Sequence, residues 1–388
     1  MSEKKNVPKL RFPEFTEPWE QRKVSEMFRV TRGYVLAATQ TETERTDEKP
    51  YPVYSSQTKD KGLMGYYKDY LYEDAITWTT DGANAGTVNY RAGKFYCTNV
   101  CGVLLSNEVK ANQMIAEALN NVAKGYVSYV GNPKLMNNVM ADIVIQIPTQ
   151  AEEREQLSSF FANLDNLITL HQRKLDHVKD LKKSMLQKMF PKNGQLYPEV
   201  RFPEFTDAWE QRKLGEVGSV SMCRRIFKEQ TSESGDIPFY KIGTFGGEAD
   251  AFISKELFEE YKAKYPYPKK GDILISASGS IGRTVEFTGG NEYFQDSNIV
   301  WLNHDEHLDN SFLKCFYSVV KWAGIEGSTI KRLYNNNILN TVITLPSVAE
   351  QQKIGQYFST LDRLITLHQR ELDHLKLLKK GMLQQMFV

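Results

Sequence analysis

The chain contains two copies of one frame. Three segments occur twice with nearly the same residues: LRFPEFT and VRFPEFT at 10–16 and 200–206, WEQRK at 19–23 and 209–213, and LDNLITLHQR and LDRLITLHQR at 164–173 and 361–370. The stretches between these segments have diverged. Two near-identical frames around two different inserts are expected of a protein that presents two different recognition surfaces in a fixed relation.

Length and charge restrict the class of protein. A chain of 388 residues is too long for one ordinary core and suits two or three domains. No run of eighteen apolar residues occurs, and Met1–Lys5 leads into no apolar segment, so we expect neither a membrane span nor a signal peptide and place the protein in the cytoplasm. A net charge of +1 argues against a protein that binds nucleic acid mainly by neutralising phosphates non-specifically.

The metal-binding patterns are weak. Four cysteines are too few for a disulfide framework, and we expect reduced thiols, with a zinc pair at Cys97 and Cys101 as the alternative. The histidines of HDEH, His304 and His307, lie in a charged stretch that is typical of a solvated loop. The sequence predicts no metal site.

The inserts resemble each other in pattern. Short β-branched runs such as AITWTT at 75–80 and DILISAS at 272–278 alternate with Gly, Asn and Asp turns in both inserts. This pattern is typical of strands and loops. We therefore predict two versions of one mixed, mostly β domain.

A heptad seam follows each insert. From Glu153 to Phe190, apolar residues recur at alternating spacings of four and three, and the second copy repeats the pattern to its end. A helix over Glu153–Phe190 is roughly 55 Å long at ~1.5 Å per residue. Such a helix needs a mate, and an internal two-fold makes the two helices antiparallel.

Polar residues interrupt the seam in both copies. His171 and His368 occupy one position, and Lys182 and Lys379 another. Two interpretations stay open. These residues set the register or respond to pH, or they are a hydrogen-bonded histidine and a lysine that extends to solvent.

The predicted fold class is α+β: a tandem duplicated unit with an internal pseudo-two-fold and two long antiparallel coiled-coil helices separating two mixed, mostly β domains. The predicted boundaries are 1–150 for the first domain, 151–190 for the first helix, 191–199 for a linker, 200–348 for the second domain and 349–388 for the second helix.

No catalytic motif is present in the sequence. It contains no dinucleotide fingerprint, no phosphate-binding loop and no Asn/Asp-Pro-Pro-aromatic tetrad of an amino-methyltransferase. Polar loops beside glycines instead carry residue types that read base edges or contact phosphate, although the same residues also build turns. DNA half-sites about one helical turn apart, ~34 Å, match the scale of the predicted helices.

The chain resembles the DNA-specificity subunit of type I restriction–modification enzymes over essentially its whole length. The resemblance depends on the paired RFPEF…WEQRK entrances, GDILISASGSIGR at 271–283, TTDGANAGT at 79–87 and the two helices that contain ITLHQR. It implies two target-recognition domains, each of which reads half of a split site in double-stranded DNA. It implies no catalysis in this chain.

The resemblance also implies partners. Two modification (methyltransferase) subunits dock on the frame copies, and restriction subunits join through them. S-adenosylmethionine, ATP and Mg belong to those partners, and no cofactor is expected in this chain. The apolar frame residues predicted to bind partners are Phe12, Phe15, Trp19, Phe202, Phe205 and Trp209; the alternative is that they cover their own domain.

Residue chemistry on the loops gives the predicted DNA contacts. They are Ser55, Gln57, Lys59, Lys61, Thr79, Thr80, Asn84, Asn99, Lys241, Ser276, Ser278, Ser280, Arg283, Asn298, Lys331 and Arg332. Two other functions compete with this prediction: a non-catalytic coiled-coil scaffold and a stand-alone DNA-modifying enzyme.

Overall fold

Both predicted long helices are present in the computed structural model. Helix α4 spans Ala151–Lys188 and helix α9 spans Val348–Met386. The chain divides into two compact units, and the division falls inside both helices, after Gln172 and after His368. The structure describes residues 7–56, 59–192, 194–322 and 332–387.

Unit 1 comprises 1–172 and 369–388. Its further elements are β1 Glu20–Lys23, α1 Val24–Met27, β2 Phe28–Arg32, β3 Tyr51–Tyr54, β4 Leu63–Tyr67, β5 Tyr72–Thr79, β6 Val88–Cys97, β7 Cys101–Ser106, α2 Gln113–Ala123, α3 Asn137–Asp142 and β8 Val144–Ile147. Strands β2 to β7 form one six-stranded sheet in the order β2-β7-β5-β6-β3-β4. Helix α2 packs its apolar face on this sheet and contributes Met114, Ile115 and Leu119 to the core.

Unit 2 comprises 173–368. Its further elements are β9 Glu210–Lys213, α5 Leu214–Val217, β10 Gly218–Ser221, β11 Ile237–Tyr240, β12 Phe252–Ile253, α6 Lys255–Lys264, β13 Ile273–Ser276, β14 Thr284–Glu286, β15 Tyr293–Phe294, β16 Ile299–His304, α7 Asn310–Val319, α8 Asn335–Leu339 and β17 Val342–Leu345. Apart from β9 and β17, these strands form a four-stranded sheet, β10-β16-β13-β14, and a three-stranded sheet, β12-β11-β15.

The two units share one strand order, with one interruption. In unit 1 the ten-residue strand β6 pairs with β5 and, in parallel, with β3. In unit 2 its counterpart is broken into β14, which pairs with β13, and β15, which pairs in parallel with β11. The break contains Gly289, whose φ of +90° suits glycine. The sequence predicted related domains but not this split.

The long helices pair antiparallel within each unit, as the heptad pattern and the duplication predicted. In unit 1 the beginning of α4 packs on the end of α9, where Phe161 and Phe387 lie 5.6 Å apart between ring centroids. In unit 2 the end of α4 packs on the beginning of α9, and Met185 and Leu186 join the core of Ile354 and Phe358.

A two-stranded ribbon connects each frame entrance to its long helix. The EQRK segments form β1 and β9, which pair antiparallel with β8 and β17 just before α4 and α9 begin. Residues of the two frame segments, far apart in sequence, therefore meet at the beginning of each long helix.

Candidate nucleic-acid interface and its frame

A buried cluster of arginine, glutamate and tryptophan holds the frame entrance of unit 1. Arg11 donates through Nε and Nη2 to the two carboxylate oxygens of Glu153, at 2.7 Å each. The indole of Trp19 donates to Glu153 Oε1 at 3.2 Å. The Glu153 side chain is 0% exposed, so these bonds compensate for the burial of its charge.

Unit 2 repeats this cluster. Arg201 donates to both oxygens of Glu350 at 2.7 Å, and Trp209 donates to Glu350 Oε1 at 3.3 Å. The bonds to Glu350 raise the pKa of Arg201. The near-identity of the two frame entrances therefore has a structural cause, because each entrance closes on its own long helix.

These contacts revise the prediction for the frame aromatics. Trp19 and Trp209 are 2% and 1% exposed and face their own cores, so neither side chain offers a surface to a partner. Phe12 packs edge-on against Phe160 with ring centroids 6.3 Å apart, and Phe202 packs likewise on Tyr357. Phe15 and Phe205 are half-buried.

A loop with two glycine turns joins β5 to β6 in unit 1. Gly82 and Gly86 have φ values of +89° and +81°, which favour glycine. A segment preceding α3 runs beside this loop: Leu135 N–H donates to Thr80 O at 2.8 Å, and Gly82 N–H donates to Pro133 O at 2.9 Å. Asp81 and Lys134 face each other there, 3.5 Å apart. We call these residues, 79–87 and 132–136, the first loop surface.

Unit 2 builds the corresponding surface between β13 and β14. Gly279 and Gly282 have φ values of +65° and +82°. Leu333 N–H donates to Ala277 O at 2.8 Å, and Ser278 forms a backbone bridge with Arg332. We call residues 276–283 and 332–336 the second loop surface. Part of it lines a cleft of about 340 Å³.

The two loop surfaces share a backbone arrangement and differ in side chains. Where Asp81 bridges to Lys134, Ser278 bridges to Arg332. The buried leucines Leu135 and Leu333 follow the basic residue in each case. One scaffold therefore presents two different sets of hydrogen-bonding groups, which is the arrangement that two different ligand sequences require.

The predicted DNA contacts of unit 1 divide by exposure. Asn99 is exposed in the turn between β6 and β7, and Asn84 donates to Ser56 O at 3.0 Å from the first loop surface. Thr80 donates to Asp81 at 2.6 Å. Ser55 lies on the neighbouring loop after β3 and accepts from Thr98 Oγ1 at 3.0 Å. Thr79 is buried at the end of β5 and offers little to a ligand.

The predicted contacts of unit 2 gather more closely. Ser280, Arg283 and Arg332 are exposed on the second loop surface. Arg283 donates through Nη2 to Ile242 O at 2.9 Å and lies 5.5 Å from the ring centroid of Phe245, which fixes its direction. Lys241, on the loop after β11, pairs with Asp250 at 2.8 Å.

Two predicted serines of unit 2 build the loop instead of facing outward. Ser276 is 0% exposed; its hydroxyl donates to Ser280 O and accepts from Arg283 N–H. Ser278 is 5% exposed and donates to Asn298 Oδ1 at 2.8 Å, which leaves Asn298 half-buried beside it. This is the turn chemistry that the sequence left open as an alternative.

Three predicted contacts cannot be placed. Gln57 and Lys331, and the side chain of Lys59, lie outside the described residues. The structure adds residues that the sequence analysis did not select: Lys134 on the first loop surface, and Glu153 and Glu350 in the frame. Both glutamates are the third residue of a long helix, and this repetition is the sequence signal that could have identified them.

The seam lysines form ion pairs with the opposite helix. In unit 1, Lys379 Nζ lies 2.6 Å from both Asp165 Oδ1 and Glu117 Oε1, and Lys61 Nζ lies 3.0 Å from Asp165 Oδ2. Burial alone would raise the pKa of Asp165, but Lys379 and Lys61 hold it below its usual value. In unit 2, Lys182 pairs with Asp362. Lys61 therefore serves this network as well as lying near the predicted contacts.

The seam histidine of unit 1 has a carboxylate neighbour. His171 Nδ1 lies 2.9 Å from Glu371 of α9. This contact gives the imidazole a polar partner on the opposite helix.

The cysteines and the HDEH segment have ordinary environments. Cys97, Cys101, Cys223 and Cys315 are buried free thiols, and burial raises the pKa of Cys223 to about 12. His304 has both ring nitrogens within 2.8 Å of acceptors, Asp305 O and Asn310 Oδ1. Among the described residues, no helix is both long enough and apolar enough to cross a membrane.

A known protein family matches this duplicated chain. The family model described as the type I restriction modification DNA specificity domain matches the chain twice, over residues 16–180 and 206–377. The chain belongs to this specificity family. The two matches cover both units, and their repetition agrees with the duplicated frame.

Curated members of the specificity family align over most of the chain. A putative type I restriction enzyme specificity subunit of Haemophilus influenzae is 40% identical over 315 residues, which cover 79% of this chain and 78% of that protein. A type I restriction enzyme specificity subunit of Methanocaldococcus jannaschii is 22% identical, covering 97% and 93%.

A solved structure shares the fold of this specificity-family chain. The crystal structure of a type I restriction–modification system S subunit from M. genitalium superposes with a TM-score of 0.71 at 15% sequence identity, covering 98% of this chain and 99% of that one. The fold is therefore retained where most side chains have changed.

Proposed function

We propose that this chain is the DNA-reading subunit of a type I restriction–modification enzyme. Each unit reads one half of a split site in double-stranded DNA through its loop surface. Two modification subunits dock on the frame copies, and restriction subunits join through them. Methyl transfer from S-adenosylmethionine and ATP- and Mg-dependent cleavage take place in those partners, and this chain is not itself an enzyme.

One observation carries the proposal. The two loop surfaces keep the same glycine turns and backbone bonds while their exposed side chains differ, as with Asp81 and Lys134 against Ser278 and Arg332. The frame around them keeps the same side chains. Two different half-sites need two different readers, whereas two identical partners need two matching surfaces.

The docking surface uses what the frame leaves exposed. The ribbons share the strand sequence EQRK, and their other strands both begin with an exposed valine, Val144 and Val342, at 47% and 53% exposure. The long helices expose leucines at corresponding positions, 37% to 48% accessible: Leu167, Leu170, Leu364 and Leu367. Repeated apolar exposure marks interaction surfaces. The proposed interface therefore consists of these exposed valines and leucines together with the half-buried Phe12, Phe15, Phe202 and Phe205. It does not include the buried tryptophans.

Arg283→Ala tests the assignment of readers. Arg283 can donate two parallel bonds to guanine, and such a contact discriminates bases by roughly 1–3 kcal/mol. In complex with the modification subunits, the variant is expected to lose affinity about 5- to 150-fold and to relax the methylated motif in one half-site only. Mapping of methylated sites in genomic DNA measures this.

Lys264→Ala is the matched control. Lys264 is a lysine on α6, 62% exposed and not one of the residues of the second loop surface, and its removal is expected to leave the motif unchanged. Equal relaxation of both half-sites by Arg283→Ala contradicts the assignment of one reader per unit.

The number of partners is tested by mass. Native mass spectrometry of the wild-type complex is expected to give two modification subunits for each copy of this chain. A single modification subunit under saturating conditions contradicts the proposal that both frame copies dock the same partner.

A further inference from the structure

An apolar hairpin tip projects from the first loop surface. Ser128 and Lys134 exchange two backbone hydrogen bonds, at 2.8 and 2.9 Å, and Gly131 turns the chain between them with a φ of +80°. Tyr129 and Val130 at this tip are 70% and 93% exposed. Single exposed apolar residues are ordinary, but two adjacent ones at a fixed turn call for a binding partner.

The base of the hairpin is anchored. Val127 and Leu135 are buried in the core of unit 1. The indole of Trp78 donates to Leu135 O at 3.1 Å, and the glycine loop binds the hairpin through Gly82 N–H. The core therefore holds both ends of the hairpin, which reduces the conformational entropy that the tip loses when a ligand binds.

Lysines flank the apolar tip. Lys124 and Lys134 are exposed on the two chain segments that lead to it. Asp81 is the carboxylate paired with Lys134, and it also accepts a hydrogen bond from Thr80. Apolar atoms between two cations suit a nucleic-acid groove, where base edges lie between two phosphate backbones.

The second unit indicates which kind of partner fits. At the corresponding position Arg332 replaces Lys134, a buried leucine follows, and Tyr334 is 49% exposed where Met136 is 58% exposed. Charge and apolar exposure are kept while the side chains change. A surface for two identical protein partners would keep the same side chains, as the frame does, whereas a surface that reads two base sequences would change them.

We propose that Tyr129 and Val130 enter a groove of the DNA and contact base edges of the half-site read by unit 1. Lys124 and Lys134 contact phosphates on either side. This inference rests on the proposed function and adds to it a specificity-determining apolar contact, such as a methyl–apolar contact with thymine. The glycine loop then acts as the support that fixes the depth of the tip.

The double variant Tyr129→Ser/Val130→Ser tests this contact in the full complex with modification subunits. The probes are a duplex with the wild-type methylated motif and a scrambled duplex, at one salt concentration. Affinity for the motif duplex is expected to fall roughly 10- to 100-fold with affinity for the scrambled duplex unchanged. The methylated motif is expected to relax in the half-site that Arg283→Ala leaves intact.

Two variants serve as controls. Val35→Ser makes the same chemical change at a valine that is 78% exposed on the loop after β2, outside the loop surfaces and the proposed docking surface, and is expected to leave the motif unchanged. Lys134→Gln is expected to weaken binding to both duplexes and to reduce the slope of log affinity against log salt by about 1.

Either of two results overturns the inference. One is a double variant that keeps both its affinity and its motif. The other is a double variant that loses modification subunits on size exclusion, which would assign the tip to a protein interface. A wild-type complex that binds motif and scrambled duplexes equally is a separate result, because it overturns the proposed function itself.

Discussion

The two seams, where the long helices meet the insert domains, share a lysine–aspartate pair and differ in the residue beside it. In unit 1, Lys379 lies between Asp165 of the opposite helix and Glu117 of α2. In unit 2, Lys182 pairs with Asp362, and the position corresponding to Glu117 is Cys315, a buried thiol whose pKa burial raises to about 12. The lysine–aspartate pair belongs to the duplicated frame, whereas the third residue belongs to the insert.

A second pair of corresponding positions also differs between the two seams. In unit 1, Ser158 of α4 accepts a hydrogen bond from Gln113 N–H at the start of α2, at 3.1 Å. In unit 2, the corresponding helix position is Gly355, and Ser311 at the start of α7 fills the space: an added Cβ at Gly355 would lie 1.8 Å from Ser311 Oγ. Helix pairing is therefore common to both units, whereas each domain is attached by its own contacts.

The largest expected effect tests what the two units have in common. Glu153→Ala leaves Arg11, whose side chain is 9% exposed, without its carboxylate, and Glu350→Ala does the same to Arg201. Each variant is expected to lose about 3–5 kcal/mol of stability in its own unit. Hydrogen exchange followed by mass spectrometry reports each unit separately.

Glu155→Ala provides the control for this pair of variants. Glu155 is 53% exposed on the same helix and lies 3.8 Å from Lys110, so its removal is expected to cost under about 1 kcal/mol. Losses at Glu153 and Glu350 that differ by more than about 2 kcal/mol contradict the equivalence of the two frames.

The next effect tests the difference between the seams. Lys379→Met removes the cation that buried Glu117 shares with half-buried Asp165, which keeps only Lys61, and is expected to cost about 3 kcal/mol. Lys182→Met removes a pair whose side chains are 26% and 39% exposed and is expected to cost about 1 kcal/mol or less. Chemical denaturation of both variants, with hydrogen exchange to assign the unit, measures the contrast.

Acid titration gives an independent measure of the same contrast. The pKa of Asp165 is lowered in the fold, so its stabilising contribution is present above the ordinary aspartate pKa of about 4 and is lost as the pH falls through the lowered value. Lys379→Met is expected to reduce this acid sensitivity. Equal costs for Lys379→Met and Lys182→Met show that Glu117 adds nothing to the seam.

The smallest expected effect concerns the helix contact that Ser158 makes in unit 1 and Ser311 makes in unit 2. Alanine favours a helix over glycine by about 1 kcal/mol, yet Gly355→Ala is expected to cost about 1–2 kcal/mol, because the new Cβ meets Ser311. Ser158→Ala removes one hydrogen bond and is expected to cost about 1 kcal/mol. Thermal unfolding measures both.

Gly381 of α9 is the matched control for Gly355. An added Cβ there has no heavy atom within 4 Å, so Gly381→Ala is expected to stabilise the protein by up to about 1 kcal/mol. Stabilisation of the same size by Gly355→Ala contradicts the tight contact with Ser311.

Local pattern predicted the long helices and many of the strands. The heptad spacing of α4 and α9 and the β-branched runs of β5 and β13 are periodic within a few residues, so periodicity could find them. Helices α2 and α7 were not predicted, because they are short and lie inside inserts that look mostly β. The interruption of the sheet in unit 2 depends on how β14 and β15 pair with separate strands, which local pattern does not report.

The sequence predicted only part of the candidate site, again because local pattern does not report contacts between distant segments. The glycine turns of GANAG and SGSIG marked the loops that form both loop surfaces. Whether Ser276, Ser278 or Thr79 faces solvent depended on the neighbouring backbone, which buries all three. Lys134 reaches the first loop surface from 53 positions beyond the aspartate that it pairs with, a separation that no local motif spans.

Repeated and periodic residues are enough to predict the duplication, the long helices and the family. The antiparallel pairing of the helices does not follow from periodicity; it was predicted from the internal two-fold that the duplication implies. The tertiary structure alone decided that Trp19 and Trp209 are buried against Glu153 and Glu350, that the seam lysines have different neighbours in the two units, and that Tyr129 and Val130 remain uncovered. Burial is a property of the partners that a side chain meets in space, and those partners come from distant parts of the chain.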